Sequence, residues 1–394
     1  MRNVPDFNIE LSQACDYILS TDIARKAIDN PPFTSFTNIL RDLIEAIDKL
    51  ADNCHMPEFT NHALPHICSV VKRASEWGKS DKWLDVITSA EAGYLLMALV
   101  IHDMGMLSQD PGDLPNDEIS NSRKGISNIS DWTRRTHVSR LKKLLFKILK
   151  GYGYDINQLE EHLKFISEMA ASHSFWPWND KFKCDKNLIN SLKLDSSTIE
   201  SLNAIIAVCD LLDEDANRCD TVTLIKHRHG SVNNIAHWLR HALTIEVIGV
   251  KEHKIIVRFR NLPDVPLDFE YVFRALRNHY KLTLFYNDKL RHVGADIKNI
   301  EFQPSSGMPN LIDEVSEELK IWKENIEFKY CITEQILNTF MNEACNIASD
   351  NIIRINLDKI GAEVLDLSKF HTFLYPCEPL TLEEKIINKI LKTE

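Results

Sequence analysis

The sequence predicts a mainly α-helical chain: a helical bundle over residues 1–229, followed by a smaller α+β C-terminal region over 230–394. Three observations carry this. Apolar residues recur at helical spacing through the first half, as in Leu40, Leu43, Ile44, Ile47 and Leu50. Histidines and aspartates recur at nearly even intervals: 36 residues from His66 to His102, 34 from Asp103 to His137, 36 from His137 to His173 and 37 from His173 to Asp210. That spacing suits successive helices that each return one ligand to a common centre. After residue 230 the pattern changes to β-branched runs, Leu243–Val250 and Lys254–Phe259, joined by a tight turn.

Composition sets the outer limits. The 394 residues suffice for a large core and two domains, and 44% apolar with 26% charged residues is an ordinary soluble composition. Nine scattered cysteines without a Cys-x-x-Cys pair argue for reduced thiols and against a zinc ribbon or disulfide framework. A net charge of −11 disfavours broad attraction to nucleic acid. Met1-Arg-Asn-Val-Pro-Asp-Phe7 lacks the basic start and apolar core of a signal peptide. The most apolar window, residues 94–101, falls short of the about 20 residues a bilayer span needs. A cytoplasmic protein without a membrane partner is expected. With 12 glycines, no Gly-x-x-x-x-Gly-Lys-Ser/Thr loop and no Asp-x-Gly-x-Gly motif, an ATPase of P-loop or Hsp90 type does not fit within these residues.

Residues 8–51 read as helices, broken at Pro31-Pro32, that pack on the bundle as a lid or wall. Thr60-Asn61 reads as the N-cap of the helix carrying His66, with Pro65 in its first turn, where a missing N–H matters least. His62 and His66 are four apart and share a face; His62 either decorates the helix start or touches substrate. The run Tyr94–Ile101 then ends abruptly in His102-Asp103, followed by Gly105, Pro111, Gly112 and Pro115. A buried helix that ends in an imidazole beside a carboxylate needs a partner for both, and a metal ion fits. The polar stretch 107–131 reads as an active-site flap, with Arg123 and Lys124 as candidate substrate contacts.

Arg134–Lys150 holds seven basic residues and no acidic one. Lys142–Lys150 reads as a solvated face opposite Leu141, Leu144, Leu145 and Ile148. Arg134, Arg135 and Arg140 lie within a turn of His137, where a guanidinium would hold a phosphate by charge-assisted, bidentate hydrogen bonds. His173 precedes Phe175-Trp-Pro-Trp178, read as packing in preference to a stacking wall for a nucleobase. His162, eleven residues earlier and nearly three turns away, is a rival ligand. In the amphipathic segment Ile199–Asp220, Asp210 falls within the apolar stretch, where an ionised carboxylate needs a counter-charge such as a metal. Asp213 is placed to accept a hydrogen bond from a ligand histidine, and Glu214 and Asp215 read as a solvated helix end. Beyond residue 230 the two strands, a helix from about 267 to 291 and a strand Ile297–Phe302 make a small α+β unit. Further helices are expected around Thr333–Ala348 and Leu380–Leu391.

The ordered set His66, His102-Asp103, His137, His173 and Asp210, with His-Asp closing an apolar helix and the last aspartate inside Ala207-Val-Cys-Asp-Leu-Leu-Asp213, resembles the HD-domain metal-dependent phosphohydrolases over about residues 55–225. The form His102-Asp-Met-Gly-Met106 is similar to HD modules found with Hsp90-type ATPases in bacterial conflict systems. The resemblance implies an HD-domain helical bundle holding two divalent metal ions (Mn, Fe, Zn, Ni or Mg). His66, His102, Asp103 and Asp210 would hold one, and His137 and His173 the other, with Asp103 bridging. It favours His66 over His62, through His66-x-x-x-Val70, and His173 over His162. The implied reaction is phosphoester hydrolysis by a metal-activated water. Asp103, Arg134, Arg135 and Asp213 would be catalytic; His62, Arg123, Lys124 and Arg140 would bind substrate.

One departure matters. Many HD hydrolases read His-Asp-x-Gly-Lys, and their lysine protonates the leaving group or binds phosphate; here Met106 stands there, and Asp213, His62 or water would take the proton role. A nucleotide is the preferred substrate over a cyclic nucleotide, an alarmone or a single-stranded nucleic-acid end. The rival reading is a catalytically weak regulatory module that senses a nucleotide and docks an ATPase or effector through the C-terminal region, as in antiviral defence. A helical scaffold with incidental histidines ranks last, because it leaves two buried carboxylates without partners. The oligomeric state is open.

Overall fold

In the computed structural model, residues 10–54, 63–108, 110–114, 129–174, 184–213, 244–260, 286–305, 345–347 and 353–356 are described. The bundle is built around helix α6 (Ser89–Ile101), in which every residue from Glu91 to Ile101 is buried. A helix apolar on all sides has no solvent face and belongs at the centre of a core. Its start is fixed by a capping box: Thr88 accepts from the Glu91 N–H (3.2 Å) while the Glu91 carboxylate accepts from the Thr88 N–H (2.7 Å). Ser89–Leu107 is long and apolar enough to cross a membrane, but 89% of its most apolar window is buried inside the fold, as for a core helix.

Helices α1 (Leu11–Leu19), α2 (Asp22–Asp29) and α3 (Phe36–Asn53) form one wall. Ile39, Leu40, Leu43, Ile44 and Ile47 of α3 are fully buried, and Leu50 packs at the margin. The turn before α3 presses Pro32 onto Gly93, where a Cβ would come within 2.6 Å of the proline ring. The other walls are α4 (Leu64–Ser80), the short α5 (Trp83–Val86), α7 (Ile129–Gly151), α8 (Ile156–Ala171), α9 (Lys186–Ser191) and α10 (Ser196–Leu212). Asp155, Asp185 and Asp195 cap α8, α9 and α10 through their carboxylates.

Several boundaries differ from the sequence expectation. Helix α4 starts at Leu64 behind Ala63, which offers no side-chain cap; Thr60 and Asn61 lie outside the described residues. Helix α7 begins at Ile129, inside the expected loop. Helix α10 begins at Ser196, where Asp195 accepts from the Thr198 N–H (2.7 Å), and ends at Leu212, so Asp213 is its C-cap and no interior residue.

The C-terminal region contributes a five-stranded sheet in the order β1-β2-β3-β5-β4, from β1 (Thr244–Lys251), β2 (Lys254–Arg260), β3 (Asn299–Ser305), β4 (Cys345–Ile347) and β5 (Ile353–Asn356). Strands β1 and β2 form an antiparallel hairpin with Val247 opposite Val257; β2 and β3 are parallel, and the remaining pairs antiparallel. Glu252 and His253 both take positive φ (54° and 60°), the backbone of a two-residue hairpin turn whose twist matches the strands. The Asp81 carboxylate, just past α4, accepts from both turn amides, Glu252 at 2.8 Å and His253 at 3.2 Å, and holds this turn in place without glycine.

The expected third strand starts two residues later than read. The helix expected to reach Ala348 is corrected at its end: Cys345–Ile347 is a strand, because pairing with β5 and through it β3 outweighs local preference in so short a segment. Of the helix expected over 267–291, residues 286–290 are described and helical; the helix over Leu380–Leu391 lies outside the described residues.

His162 sits away from the ligand histidines. It accepts the Tyr94 hydroxyl at 2.6 Å, stacks on the Tyr94 ring and meets Phe33 at a tilt, and burial pushes its pKa below the ordinary 6.5, against a small opposing pull from Glu161. A depressed histidine pKa means that the unfolded chain binds the proton more readily, so stability is full above pH 6.5 and falls as pH drops toward the folded value. His162→Gln keeps an acceptor for Tyr94 but does not titrate. In urea denaturation of the metal-free protein, the stability gap between wild type and variant should narrow on the acid side of 6.5; a gap constant with pH would contradict this.

Candidate metal centre

Five of the six candidate ligands stand where a helix begins or ends, and the sixth, His137, lies inside one. His66 is in the first turn of α4, His102 caps α6, and Asp103 opens the 3-10 turn Met104–Leu107. His137 lies on α7, His173 in the 3-10 turn that closes α8, and Asp210 in the last turn of α10. These six side chains converge in two overlapping sets. In the first, His66 Nε2 and His102 Nε2 are 3.0 Å apart, and each lies 3.5 Å from Asp210 Oδ1 and 3.5 to 3.6 Å from Asp103 Oδ2. In the second, Asp103 Oδ1 is 3.7 Å from His137 Nε2 and 3.3 Å from His173 Nε2, which are 3.3 Å from each other. One carboxylate thus offers one oxygen to each set.

The histidines are oriented from behind. His66 Nδ1 faces Asp213 Oδ2 at 2.6 Å, His102 Nδ1 faces the Leu99 carbonyl at 2.8 Å, and His173 Nδ1 faces the Ala170 carbonyl at 2.5 Å. Such acceptors put the proton of a neutral ring on Nδ1 and leave a lone pair on Nε2, the arrangement that prepares an imidazole to ligate a metal. Lone pairs that converge within 3.0 to 3.6 Å repel one another unless a cation sits between them. The donor set therefore fits a divalent metal, and its mix of imidazole and carboxylate suits Mn, Fe, Zn or Ni. Without one, a proton substitutes. Burial lowers the His102 pKa, but Asp103 and Asp210 outweigh it and raise the value to about 9. Burial, the largest single influence, likewise pushes Asp210 upward, as does the Asp103 charge, but the hydrogen bond to His102 together with the charges of His102 and His173 outweighs them and holds it well below the usual carboxylate range.

Gly105 is required by the meeting of these elements. A Cβ there would lie 2.7 Å from the His137 carbonyl carbon and closer still to its oxygen, so only glycine lets α7 bring His137 against the His102-Asp103 turn. Arg140 fixes the same contact from the other side. It is fully buried, and its guanidinium donates to the carbonyls of Ser108, Thr133 (3.0 Å) and Thr136 (3.4 Å) while resting on the Trp132 ring.

That placement corrects the expectation for Arg140: it is a structural brace with its donors turned to backbone, not a substrate contact. Asp213 lies where the sequence also put it, behind a ligand histidine: it faces His66 Nδ1 and also accepts from Ser69, and at 1% exposure it does not suit the proton-transfer role read beside that one. Lys143 and Lys147 grip residues 110–114 rather than forming only a solvated face. Met106 is buried in the 3-10 turn. Arg134 and Arg135 fall on α7 within a turn of His137, but their side chains are outside the description, as are His62, Arg123, Lys124, Glu214, Asp215 and Phe175–Trp178.

Sequence reasoning missed Ser69, Arg73 and Ser174. Ser69 and Arg73 lie three and seven residues after His66, hence on its face of α4, a spacing that could have drawn attention to them. Ser174 places its hydroxyl 2.9 Å from His137 Nε2 and 2.8 Å from His173 Nε2; only its adjacency to His173 signalled it.

The helical bundle and the convergent histidine and aspartate set define an HD-type domain. The chain belongs to the HD-CE family, whose family model matches residues 56–280, more than half of its length. No curated protein and no solved structure matches it. The match runs past residue 229 and takes in β1 and β2.

Two outcomes follow from this geometry. Asp213→Asn weakens the hold on His66 and should lower metal affinity about 10- to 100-fold with helical content unchanged, read by metal titration beside circular dichroism. Gly105→Ala pushes α7 from the His102-Asp103 turn and should weaken metal binding at the Asp103, His137, His173 set more than at the four-ligand set. Equal losses at both would contradict the role given to this glycine.

Proposed function

We propose that this HD-CE protein is a metal-dependent phosphohydrolase that cleaves a phosphoester of a nucleotide-like substrate. The observation that carries the reading is Asp103, whose two oxygens face two separate ligand sets, a donor arrangement that suits a pair of cations. His66, His102, Asp103 and Asp210 would hold one, and Asp103, His137 and His173 the other. When bound, the cations supply Lewis acidity that makes water a better nucleophile and neutralises charge on the phosphate.

The chain's own residues shape the rest. Exposure rises from His66 and His102 (0% for both side chains) to His137 (11%) and Asp210 (27%), so substrate and water approach on the His137 and Asp210 side while the apolar wall of α6 excludes water from the other. The Ser174 hydroxyl, beside both imidazoles of the second set, is placed to hydrogen-bond a phosphate oxygen. Arg134 and Arg135, within a turn of His137, are proposed to hold the remaining phosphate charge. Met106 puts no acid on the His-Asp turn and Asp213 is sealed behind His66, so the leaving oxygen takes its proton from solvent at this open side.

Met106 is also the specific reason to keep a second reading: a nucleotide-sensing regulatory module that docks an ATPase or effector through the α+β region, as in a bacterial defence system. One experiment separates the two. Metal content and nucleotide binding are measured on the purified protein, and hydrolysis products, free phosphate from monoesters and nucleoside monophosphates from diesters, are followed over a panel of nucleotides, cyclic nucleotides and single-stranded nucleic-acid ends, with wild type and Asp103→Ala. The hydrolase reading expects bound metal and turnover that falls about a hundredfold or more in the variant. Nucleotide binding with metal but no turnover would favour the sensor, and neither metal nor turnover would remove both.

A further inference from the structure

We propose that Arg73 is a positioning residue that links the docking of strand β1 to metal occupancy at His66; this rests on the metal reading above. Helix α4 carries His66 in its first turn and, on the same face, Ser69 and Arg73. Asp213 uses both oxygens on this face: Oδ2 meets His66 Nδ1 at 2.6 Å, and Oδ1 accepts the Ser69 hydroxyl and lies 3.5 Å from Arg73 Nε. The other end of the same guanidinium, Nη1, donates to the Val247 carbonyl of β1 at 2.6 Å. A series of contacts thus runs from an edge strand of the sheet through Arg73 and Asp213 to a ligand imidazole: a hydrogen bond at Val247, an ion pair between Arg73 Nε and Asp213 that is not a hydrogen bond, and a hydrogen bond at His66.

Three properties make this series more than a packing contact. It is dry, with Arg73 8% and Asp213 1% exposed, so its electrostatics are weakly screened. A planar, forked guanidinium can address Asp213 and a strand carbonyl at once, which a lysine ammonium, a single point of charge, does not reproduce. And the sheet has a second anchor on the far end of α4, where Asp81 holds the β1–β2 turn by the amides of Glu252 and His253. That anchor lies at the opposite end of α4 from His66 and serves as an internal comparison for docking without linkage.

If the position of Asp213 is shared between a metal ligand and β1, a metal that fixes His66 also fixes β1, and by reciprocity anything that engages the sheet alters metal affinity. The α+β region is then a handle on the metal centre, and a protein docking on it a regulator.

The test uses the full chain with Co(II) as probe, its absorption bands reporting the ligand set, and amide hydrogen exchange over residues 244–260 reporting the sheet. In wild type, Co(II) should slow exchange in 244–251 by about fivefold or more. In Arg73→Lys at saturating Co(II) that slowing should vanish while the bands persist. In Asp81→Asn the turn should exchange faster without metal, yet the slowing by Co(II) should remain. Should Arg73→Lys fail to fold, Asp213→Asn interrupts the same series and should abolish the slowing at saturating Co(II). Co(II) that binds wild type without changing exchange in 244–251, or slowing retained in Arg73→Lys, or lost equally in Asp81→Asn, overturns the linkage alone. Failure of wild type to bind Co(II) overturns the metal reading and the linkage with it.

Discussion

The structure turns on an electrostatic conflict at the end of its most apolar helix. Two carboxylates and four imidazoles face one another in a largely buried cluster open on one side, and such a group of like lone pairs is stable only with positive charge between them. In the metal-free protein that charge is a proton on His102, held to a pKa of about 9. A metal needs the same nitrogen unprotonated, so metal binding and proton release are coupled by construction. The surrounding elements are arranged to keep the lone pairs aimed inward: Leu99 and Ala170 carbonyls and the Asp213 carboxylate fix three rings from behind.

Much of this was legible in the sequence because most of the ligands stand at a helix terminus or inside an apolar stretch, where a polar residue contradicts its surroundings; His137, inside a basic helix, was legible only from its even spacing. His102-Asp103 breaks an otherwise unbroken hydrophobic run, and Asp210 interrupts the apolar stretch of α10. That Asp103 serves both sets was implied by the family resemblance and not by the sequence pattern, because giving one oxygen to each set depends on the angle at which α7 crosses the His-Asp turn. Arg140 was misread for a related reason. A basic residue one turn from a ligand resembles a phosphate contact, and only the fold shows that Ser108, Thr133 and Thr136 leave carbonyls in need of a donor. Strands β4 and β5 escaped notice because they are three and four residues long and owe their form to distant pairing, not to their own composition.

Helix α7 shows how a basic segment can serve structure in an acidic chain. Burial lowers the Arg140 pKa to about 10, yet it stays charged near neutrality, with Asp113 as the nearest opposing charge. Lys147 pairs with Asp110 and Asp113, both at 3.1 Å, and Lys143 takes the Leu114 carbonyl at 2.6 Å. Together with Gly105 these contacts clamp residues 104–114 onto α7. The positive charge of Arg140, Lys143 and Lys147, which looked available for an anion, is directed at the segment that follows the His102-Asp103 turn.

The same logic bears on where the functional unit ends. A metal site needs its ligands held to within a fraction of an ångström, and that precision comes from whatever braces them. For His66 the brace is Asp213, for Asp213 it includes Arg73, and Arg73 reaches a strand that lies beyond the expected bundle boundary. A boundary drawn at residue 229 would cut between a ligand and one of its supports. The family match, which continues to residue 280, takes in β1 and β2 together with the helices that carry the candidate ligands.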